Sequence, residues 1–177
     1  MPDYVIAPPP VPAIPVHGGG LFPVRRIFCV GKNYADHVRE MGGDPKQTPP
    51  VFFTKPADAV ATGDAVPYPP ATDDLHYEGE LVIALKGGGR NIASRGEAGA
   101  LIFGQAAGCD LTRRDHQAAA KKAGAPWDGA KAFDHSAPIG AIGRIEDFPP
   151  ERFDDARVVT TVNGEVRQDG ALADMIW

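Results

Sequence analysis

The sequence predicts an α+β protein that is mostly β, with short strands and a few short helices. Glycine and proline occur 21 and 18 times in 177 residues, which favours frequent turns over long helices. The apolar runs are short and rich in β-branched and aromatic residues, which is typical of strands. An Asn-Gly pair at 163–164 lies between two such runs, and this pair is the usual centre of a type I′ hairpin.

The first half of the chain is expected to form an N-terminal arm followed by short strands. Residues 1–24 are rich in proline, which has no backbone N–H for a sheet, so we expect an extended arm or edge strand ahead of a main domain at 25–177. We expect strands at residues 27–30, 51–55 and 64–70, and a helix at 34–41. Asn33 can cap this helix, and Gly42 and Gly43 end it.

The second half should contain a strand that begins at Glu78, a short helix capped by Ser94, and a strand that ends at Cys109. A longer helix is predicted over 110–123, because Lys121 and Lys122 suit the negative end of the helix dipole and Gly124 suits the position just after it. The Asn-Gly hairpin at 158–167 completes the series.

Composition excludes several classes of protein. Hydrophobic residues make up 43% of the chain and charged residues 23%, which is ordinary for a globular domain. A net charge of −5 without a basic stripe argues against a nucleic-acid partner. No apolar run has the length of a membrane span, and the N-terminus lacks the features of a signal peptide. The two cysteines lie in strand-like stretches and are expected to be thiols in a reducing cytoplasm.

Three carboxylates are spaced as ligands for a hard cation. Glu78 and Glu80 lie two residues apart in a predicted strand and should therefore face the same side. Asp110 ends the following strand. Adjacent like charges repel unless a proton or a cation lies between them. An all-oxygen set suits Mg²⁺, Mn²⁺ or Ca²⁺ better than zinc.

A helix that begins at Asp110 would place Arg114 and Gln117 on the same face as that carboxylate. Arginine matches a planar carboxylate through two parallel hydrogen bonds, so this face suits binding of an acidic substrate. A solvated polar face is an equally good interpretation of the spacing alone.

Four further residues are candidates for chemistry. His37 and Glu40 would be neighbours on the helix at 34–41, where a carboxylate can orient an imidazole that acts as a general base. Such pairs are also common on ordinary helix surfaces. Lys55 and Lys131 are flanked by small and apolar residues, so each can direct a positive charge at a developing anion, or can be a surface ammonium. Of the two, Lys55 is predicted to bind substrate and Lys131 to take part in catalysis.

Seven stretches in a fixed order resemble the fumarylacetoacetate hydrolase family, in its short acylpyruvate and fumarylpyruvate hydrolase branch. They are CVGKNYADHVREM at 29–41, FTKP at 53–56, HYEGEL at 76–81, GCDLTRRD at 108–115, PW at 126–127, GAKAF at 129–133 and VNGE at 162–165. Several such blocks in the family's order are a far more specific signal than any one of them.

The resemblance implies a mixed β-sandwich or β-roll catalytic domain, usually a homodimer, that binds a divalent cation through Glu78, Glu80 and Asp110. His37 and Glu40 would form a dyad on a short lid helix. The positions of Arg114, Gln117 and Lys131 match those that line the family's substrate pocket. Members of the family continue with further strands beyond the position of Trp177, so the C-terminal part of the fold is expected to be missing from this chain.

The activity implied is hydrolysis of a carbon–carbon bond in a 2,4-diketo acid, with fumarylpyruvate as the favoured example. His37 would take a proton from water, the hydroxide would attack the C4 carbonyl, and pyruvate would leave as its enolate, with the cation and Lys131 stabilising the charge. Decarboxylation of oxaloacetate or a related β-keto acid, or its isomerisation, is the nearest alternative at the same site. A non-catalytic metal-binding β module is the alternative from another class.

Overall fold

The computed structural model describes residues 3–35, 44 and 49–177 of the chain. Most of the predicted helix at 34–41 lies outside this part, and so do His37 and Glu40. Within it the fold is mostly β with three short helices, as the sequence predicts. The strands are Ala13–Pro15 (β1), Leu21–Pro23 (β2), Ile27–Gly31 (β3), Val51–Lys55 (β4), Val60–Ala61 (β5), Leu75–His76 (β6), Gly79–Leu85 (β7), Ile102–Cys109 (β8), Thr112–Arg113 (β9), Ala137–Pro138 (β10), Gly143–Arg144 (β11), Arg157–Val162 (β12) and Glu165–Ala171 (β13). The helices are Arg95–Gly99 (α1), Arg114–Ala123 (α2) and Asp128–Lys131 (α3).

The longest pairing in the described chain joins β7 and β8 in an antiparallel ladder, and β11 continues this sheet beyond β8. Gly79 pairs with Cys109 at one end of the ladder and Leu85 with Ile102 at the other. The ladder therefore brings the residues just before β7 beside those just after β8. Glu78 is the residue just before β7, and Asp110 is the residue just after β8.

The hydrophobic core lies between this sheet and the N-terminal β1–β2 hairpin. Its buried members are Ile14, Val16, Val24, Ala59, Ala84, Ala106, Ala137, Ile139 and Ile142. Three of these side chains come from the proline-rich segment, and Val16 also forms a bridge with Ile142.

Several local predictions are confirmed. The strands at 27–31 and 51–55 pair with each other in antiparallel register. The Ser94 hydroxyl caps α1 by accepting a hydrogen bond from the Glu97 N–H at 3.2 Å. Gly124 ends α2 in the left-handed conformation with φ of 64°. Asn163 and Gly164 both have positive φ, 52° and 83°, as a type I′ turn requires.

The strand predicted at 64–70 is wrong, since that segment has no regular structure. Pro67, Pro69 and Pro70 supply no N–H to a sheet. A shorter strand, β5, lies just before it and pairs in parallel with β10.

The start of the second predicted helix is also wrong, because α2 begins at Arg114 and not at Asp110. Thr112 and Arg113 instead pair with His76 and Leu75. The backbone N–H of Arg114 then donates to the Asp74 carbonyl at 2.8 Å. Pairing with a distant strand therefore takes precedence over helix propensity at residues 110–113.

No helix in the described residues is long and apolar enough to cross a membrane.

Candidate active site

Glu78 and Asp110 come together at the open end of the β7–β8 ladder. The Asp110 N–H donates to the Glu78 carbonyl at 2.8 Å, which extends the strand pairing by one step and places the two side chains side by side. The Asp110 side chain is 10% exposed and that of Glu78 is 29% exposed. The site therefore has one carboxylate at its base and one at its mouth.

Lys131 bridges these two carboxylates from the end of α3. Its Nζ donates to Glu78 Oε2 at 2.6 Å and to Asp110 Oδ2 at 2.8 Å, and its side chain is only 2% exposed. The Phe53 ring lies 5.0 Å from the same nitrogen. A buried lysine tolerates its desolvation only when it is paired, so these two carboxylates hold the ammonium in place.

Lys55 lies behind Asp110, at the end of β4. Its Nζ is 2.9 Å from Asp110 Oδ1, and it donates to the Leu111 carbonyl at 3.2 Å. Burial lowers the pKa of Lys55, while the charge of Asp110 acts in the opposite direction. With a side chain that is 1% exposed, Lys55 anchors Asp110 from the protein interior. Its predicted role as a substrate-binding residue stays a prediction.

Arg114 and Gln117 lie on the first turn of α2 and face Glu78. Arg114 Nη2 donates to Glu78 Oε1 at 2.7 Å, and Nη1 donates to Gln117 Oε1 at 2.6 Å. The two residues therefore share a face, as the sequence predicts, whereas Asp110 reaches the same site from the strand and not from the helix. Burial alone would raise the pKa of Glu78, but Lys131 and Arg114 hold it below its ordinary value.

Glu80 differs from the other two acids because its carboxylate has neither a hydrogen bond nor an ion pair with the described residues. Burial, together with the charges of Glu78 and Asp110, raises the pKa of Glu80 to about 7. Asp110 Oδ1 is buried as well, and the Lys55 ammonium lies 2.9 Å from it. Among the described residues, Glu80 is thus the one acid of the three whose carboxylate has no ion-pair partner.

The donor set fits a hard divalent cation in its chemistry. All three acids contribute oxygen, which Mg²⁺ and Mn²⁺ prefer. In the described part of the chain, however, no three side chains of metal-ligating type lie close enough to hold an ion together. Lys131 lies between Glu78 and Asp110 instead. A bound cation would therefore require these side chains to move, so that Glu78 exchanges part of its contact with Lys131 for the ion.

Sequence reasoning missed the pocket beside this cluster. It has a volume of about 440 Å³ and lies between β4 and the segment that joins α2 to α3. Phe53 and Trp127 line it with ring centroids 5.8 Å apart, and Lys131 lines it too. Trp127 was a usable signal, because ligand pockets are lined mainly by apolar and aromatic side chains.

Known proteins of one family resemble this chain in sequence and in fold. The family model for the C-terminal region of fumarylacetoacetate (FAA) hydrolase matches residues 26–177. A crystal structure of fumarylpyruvate hydrolase from Pseudomonas aeruginosa, in complex with Mn²⁺ and pyruvate, is 42% identical with a TM-score of 0.90, covering 99% of this chain and 76% of the other.

Two other related proteins are named for a different activity. The mitochondrial oxaloacetate tautomerase of Bos taurus is 40% identical over 157 residues, covering 86% of this chain and 68% of the relative. The oxaloacetate tautomerase of Escherichia coli is 37% identical over 156 residues, covering 88% of this chain and 70% of the relative.

Proposed function

Since the chain belongs to the fumarylacetoacetate hydrolase family, we propose that it hydrolyses a carbon–carbon bond in an acylpyruvate. Fumarylpyruvate is the favoured substrate, and pyruvate and a carboxylic acid are the products. The observation that carries the proposal is the cluster in which Lys131 and Arg114 converge on Glu78 beside a buried Asp110. The likeness to a hydrolase whose structure holds Mn²⁺ and pyruvate supports it.

Glu78, Glu80 and Asp110 are the proposed metal ligands, and Mg²⁺ or Mn²⁺ is the proposed cation. Such an ion supplies Lewis acidity toward the oxygens of a keto acid and neutralises charge that develops there. The Glu80 carboxylate, which has no ion-pair partner among the described residues, and its raised pKa beside Glu78 and Asp110 support this assignment. Lys55 would keep Asp110 in place throughout.

Arg114 would hold a substrate carboxylate. Its side chain is 30% exposed and its guanidinium already binds the Glu78 carboxylate, which is the planar anion that this group suits. Gln117 accepts a hydrogen bond from the same guanidinium and fixes its plane. A substrate carboxylate that replaces Glu78 on Arg114 would free Glu78 to face the cation.

Lys131 would stabilise the negative charge that develops on the pyruvate oxygen as the carbon–carbon bond breaks. Its ammonium is buried and held by two carboxylates, so little reorganisation is needed when the charge appears. The pocket lined by Phe53 and Trp127 adjoins this nitrogen and suits the acyl group.

His37 and Glu40 are the proposed dyad that takes the proton from the attacking water. Both lie outside the described residues, so their role rests on the sequence pattern alone. The cytoplasmic location and the homodimer also stay predictions.

A second function is favoured by the curated relatives, two of which carry the name oxaloacetate tautomerase. Keto–enol exchange of oxaloacetate moves a proton between C3 and the C2 oxygen, and it breaks no carbon–carbon bond. It could use the same cation, Arg114 and Lys131, but it needs no attacking water. The two functions therefore differ in the need for a water-activating base.

A substrate panel separates them. The chain is assayed with fumarylpyruvate, other acylpyruvates and oxaloacetate, with Mn²⁺ or with a chelator, while pyruvate release and enol absorbance are followed separately. Hydrolysis predicts chelator-sensitive pyruvate release from acylpyruvates. Loss of enol absorbance from oxaloacetate without pyruvate release would instead support the tautomerase, and would contradict the hydrolase if acylpyruvates stayed intact.

A further inference from the structure

The edge of β7 is completed by a side chain from the C-terminal hairpin. In the three-stranded sheet β7 lies at one end, so the backbone groups of alternate residues point away from β8, where the described part of the chain provides no strand to pair with them. Gly79 is one of these residues, and it lies between Glu78 and Glu80. Buried backbone groups need partners, so the partner of Gly79 bears on both proposed metal ligands.

That partner is the side-chain amide of Gln168 on β13. Gln168 Oε1 accepts from the Gly79 N–H at 2.8 Å, and Gln168 Nε2 donates to the Gly79 carbonyl at 2.8 Å. One primary amide thus makes the two hydrogen bonds that a neighbouring strand would make. The Thr160 hydroxyl donates to the same Oε1 at 3.2 Å and fixes the orientation of the amide.

Glycine is required at position 79 because the hairpin approaches the β7 backbone directly. A Cβ atom there would overlap the Thr160 hydroxyl and lie 2.9 Å from Gln168 Oε1. Glycine, however, leaves the backbone between the two acids intrinsically free to rotate. The Gln168 amide removes that freedom by holding both peptide groups of Gly79.

A β-bulge directs Gln168 toward β7. Thr160 pairs with Gln168, whereas Thr161 pairs with Val166, so Arg167 is an extra residue in the ladder. Such a bulge changes the side to which the following side chains point. Residues 165–167 are exposed, whereas Gln168 and Gly170 are half-buried.

We propose that Gln168 is a positioning residue: by clamping both backbone groups of Gly79, it sets the directions of the Glu78 and Glu80 carboxylates that are to bind the cation. This inference rests on the proposed function, because it concerns the proposed metal ligands. Residues that orient metal ligands commonly change metal affinity by 10- to 100-fold when they are replaced.

The test compares Mn²⁺ binding by the wild-type chain and the Gln168→Met variant in calorimetry. Methionine has a similar length but cannot donate to the Gly79 carbonyl or replace the amide oxygen. We expect Kd for Mn²⁺ to rise about tenfold or more. Asp169→Asn is the matched control: its side chain lies on the next residue, pairs with Arg157 at 2.6 Å and is 48% exposed, so Kd should not change.

Amide hydrogen exchange at Gly79 gives a readout that does not depend on the ion. The Gly79 N–H should be protected in the wild type and in Asp169→Asn, and should exchange much faster in Gln168→Met. If Gln168→Met does not fold, Thr160→Val takes its place, because it keeps the shape and removes only the hydroxyl that orients the amide. For that variant we expect a severalfold weaker Mn²⁺ affinity.

Equal Mn²⁺ affinities of wild type and variant would overturn the inference and leave the proposed function intact. Equal losses in Gln168→Met and Asp169→Asn would also overturn it, because they would reflect general weakening of the hairpin. A wild-type chain that binds no Mn²⁺ would overturn the proposed function, and the inference with it.

Discussion

Lys131 Nζ lies 2.8 Å from Asp110 Oδ2, and neither side chain is more than 10% exposed. Such a pair is costly to bury, and removing one partner leaves an uncompensated charge. Under the proposed hydrolysis, the same pair would hold an ammonium at the place where negative charge develops. Loss of Lys131 should therefore affect both the stability of the fold and the reaction rate, which unfolding and kinetic measurements can separate.

Replacement of Lys131 by methionine should lower kcat for pyruvate release by about 10²- to 10³-fold, because the variant loses a charge that acts on the transition state. KM should change less, since the lost interaction forms only as the bond breaks. Lys122→Met, an exposed lysine on α2, is the control and should keep normal kinetics. Unchanged kcat in Lys131→Met would remove Lys131 from the reaction.

Replacement of Arg114 by lysine should raise KM by roughly tenfold or more while affecting kcat less. Lysine keeps the charge but cannot bind Glu78 and Gln117 simultaneously through a planar fork. Steady-state kinetics with acylpyruvates of different charge measure the effect. Arg144→Lys is the control, because that residue packs over the Phe103 ring away from the site. A KM equal to that of the wild type would show that Arg114 does not bind substrate.

Binding of the cation should release a proton near neutral pH. Burial and the charges of Glu78 and Asp110 raise the pKa of Glu80 from 4.5 to about 7, whereas a cation favours its ionised form. Mn²⁺ calorimetry at about pH 6, in two buffers of different ionisation enthalpy, should therefore give different apparent heats. Glu80→Gln should abolish the difference. Identical heats for the wild type would argue against Glu80 as a ligand.

The same shift predicts how stability without metal depends on pH. Between pH 4.5 and about 7, folded Glu80 keeps a proton that the unfolded chain has released, so the folded state binds more protons. The contribution of Glu80 to the free energy of unfolding should therefore decrease as pH rises through that window. Guanidinium unfolding of wild type and Glu80→Gln in chelator measures it, and a wild-type curve parallel to that of Glu80→Gln would contradict the shift.

His37→Ala should separate hydrolysis from tautomerisation. We expect kcat for acylpyruvate hydrolysis to fall about 10²-fold or more, as for a lost general base. Oxaloacetate tautomerisation, which has no attacking water, should fall less. If only KM for acylpyruvate changed, His37 would be a binding residue.

Local signals explain the parts of the fold that could be predicted from the sequence. The Asn163-Gly164 turn, the Ser94 cap and the Gly124 helix end each depend on residues within a few positions. The two strands at 27–31 and 51–55 are short apolar runs bounded by Gly and Pro. Each prediction succeeded because neighbouring residues determine the conformation.

The strand at 64–70 failed for a local reason, its prolines, whereas the other failures come from contacts between distant segments. The helix at 110 could not compete with strand pairing between Thr112–Arg113 and Leu75–His76, which no local pattern reveals. The bond between Gln168 and Gly79 joins residues that are 89 positions apart. Residue types and order identified the acids, Arg114 and Lys131, but not that Lys131 would bridge Glu78 and Asp110.

Titration of the chain with Mn²⁺ tests the central claim most directly, namely that Glu78, Glu80 and Asp110 share one divalent cation. Calorimetry should show a single saturable site in the wild type and in Glu165→Gln, an exposed acid on the hairpin. Glu80→Gln should weaken that site by about tenfold or more, because the ion loses a charged ligand. Wild-type affinity in Glu80→Gln, or no binding by the wild type, would contradict the account.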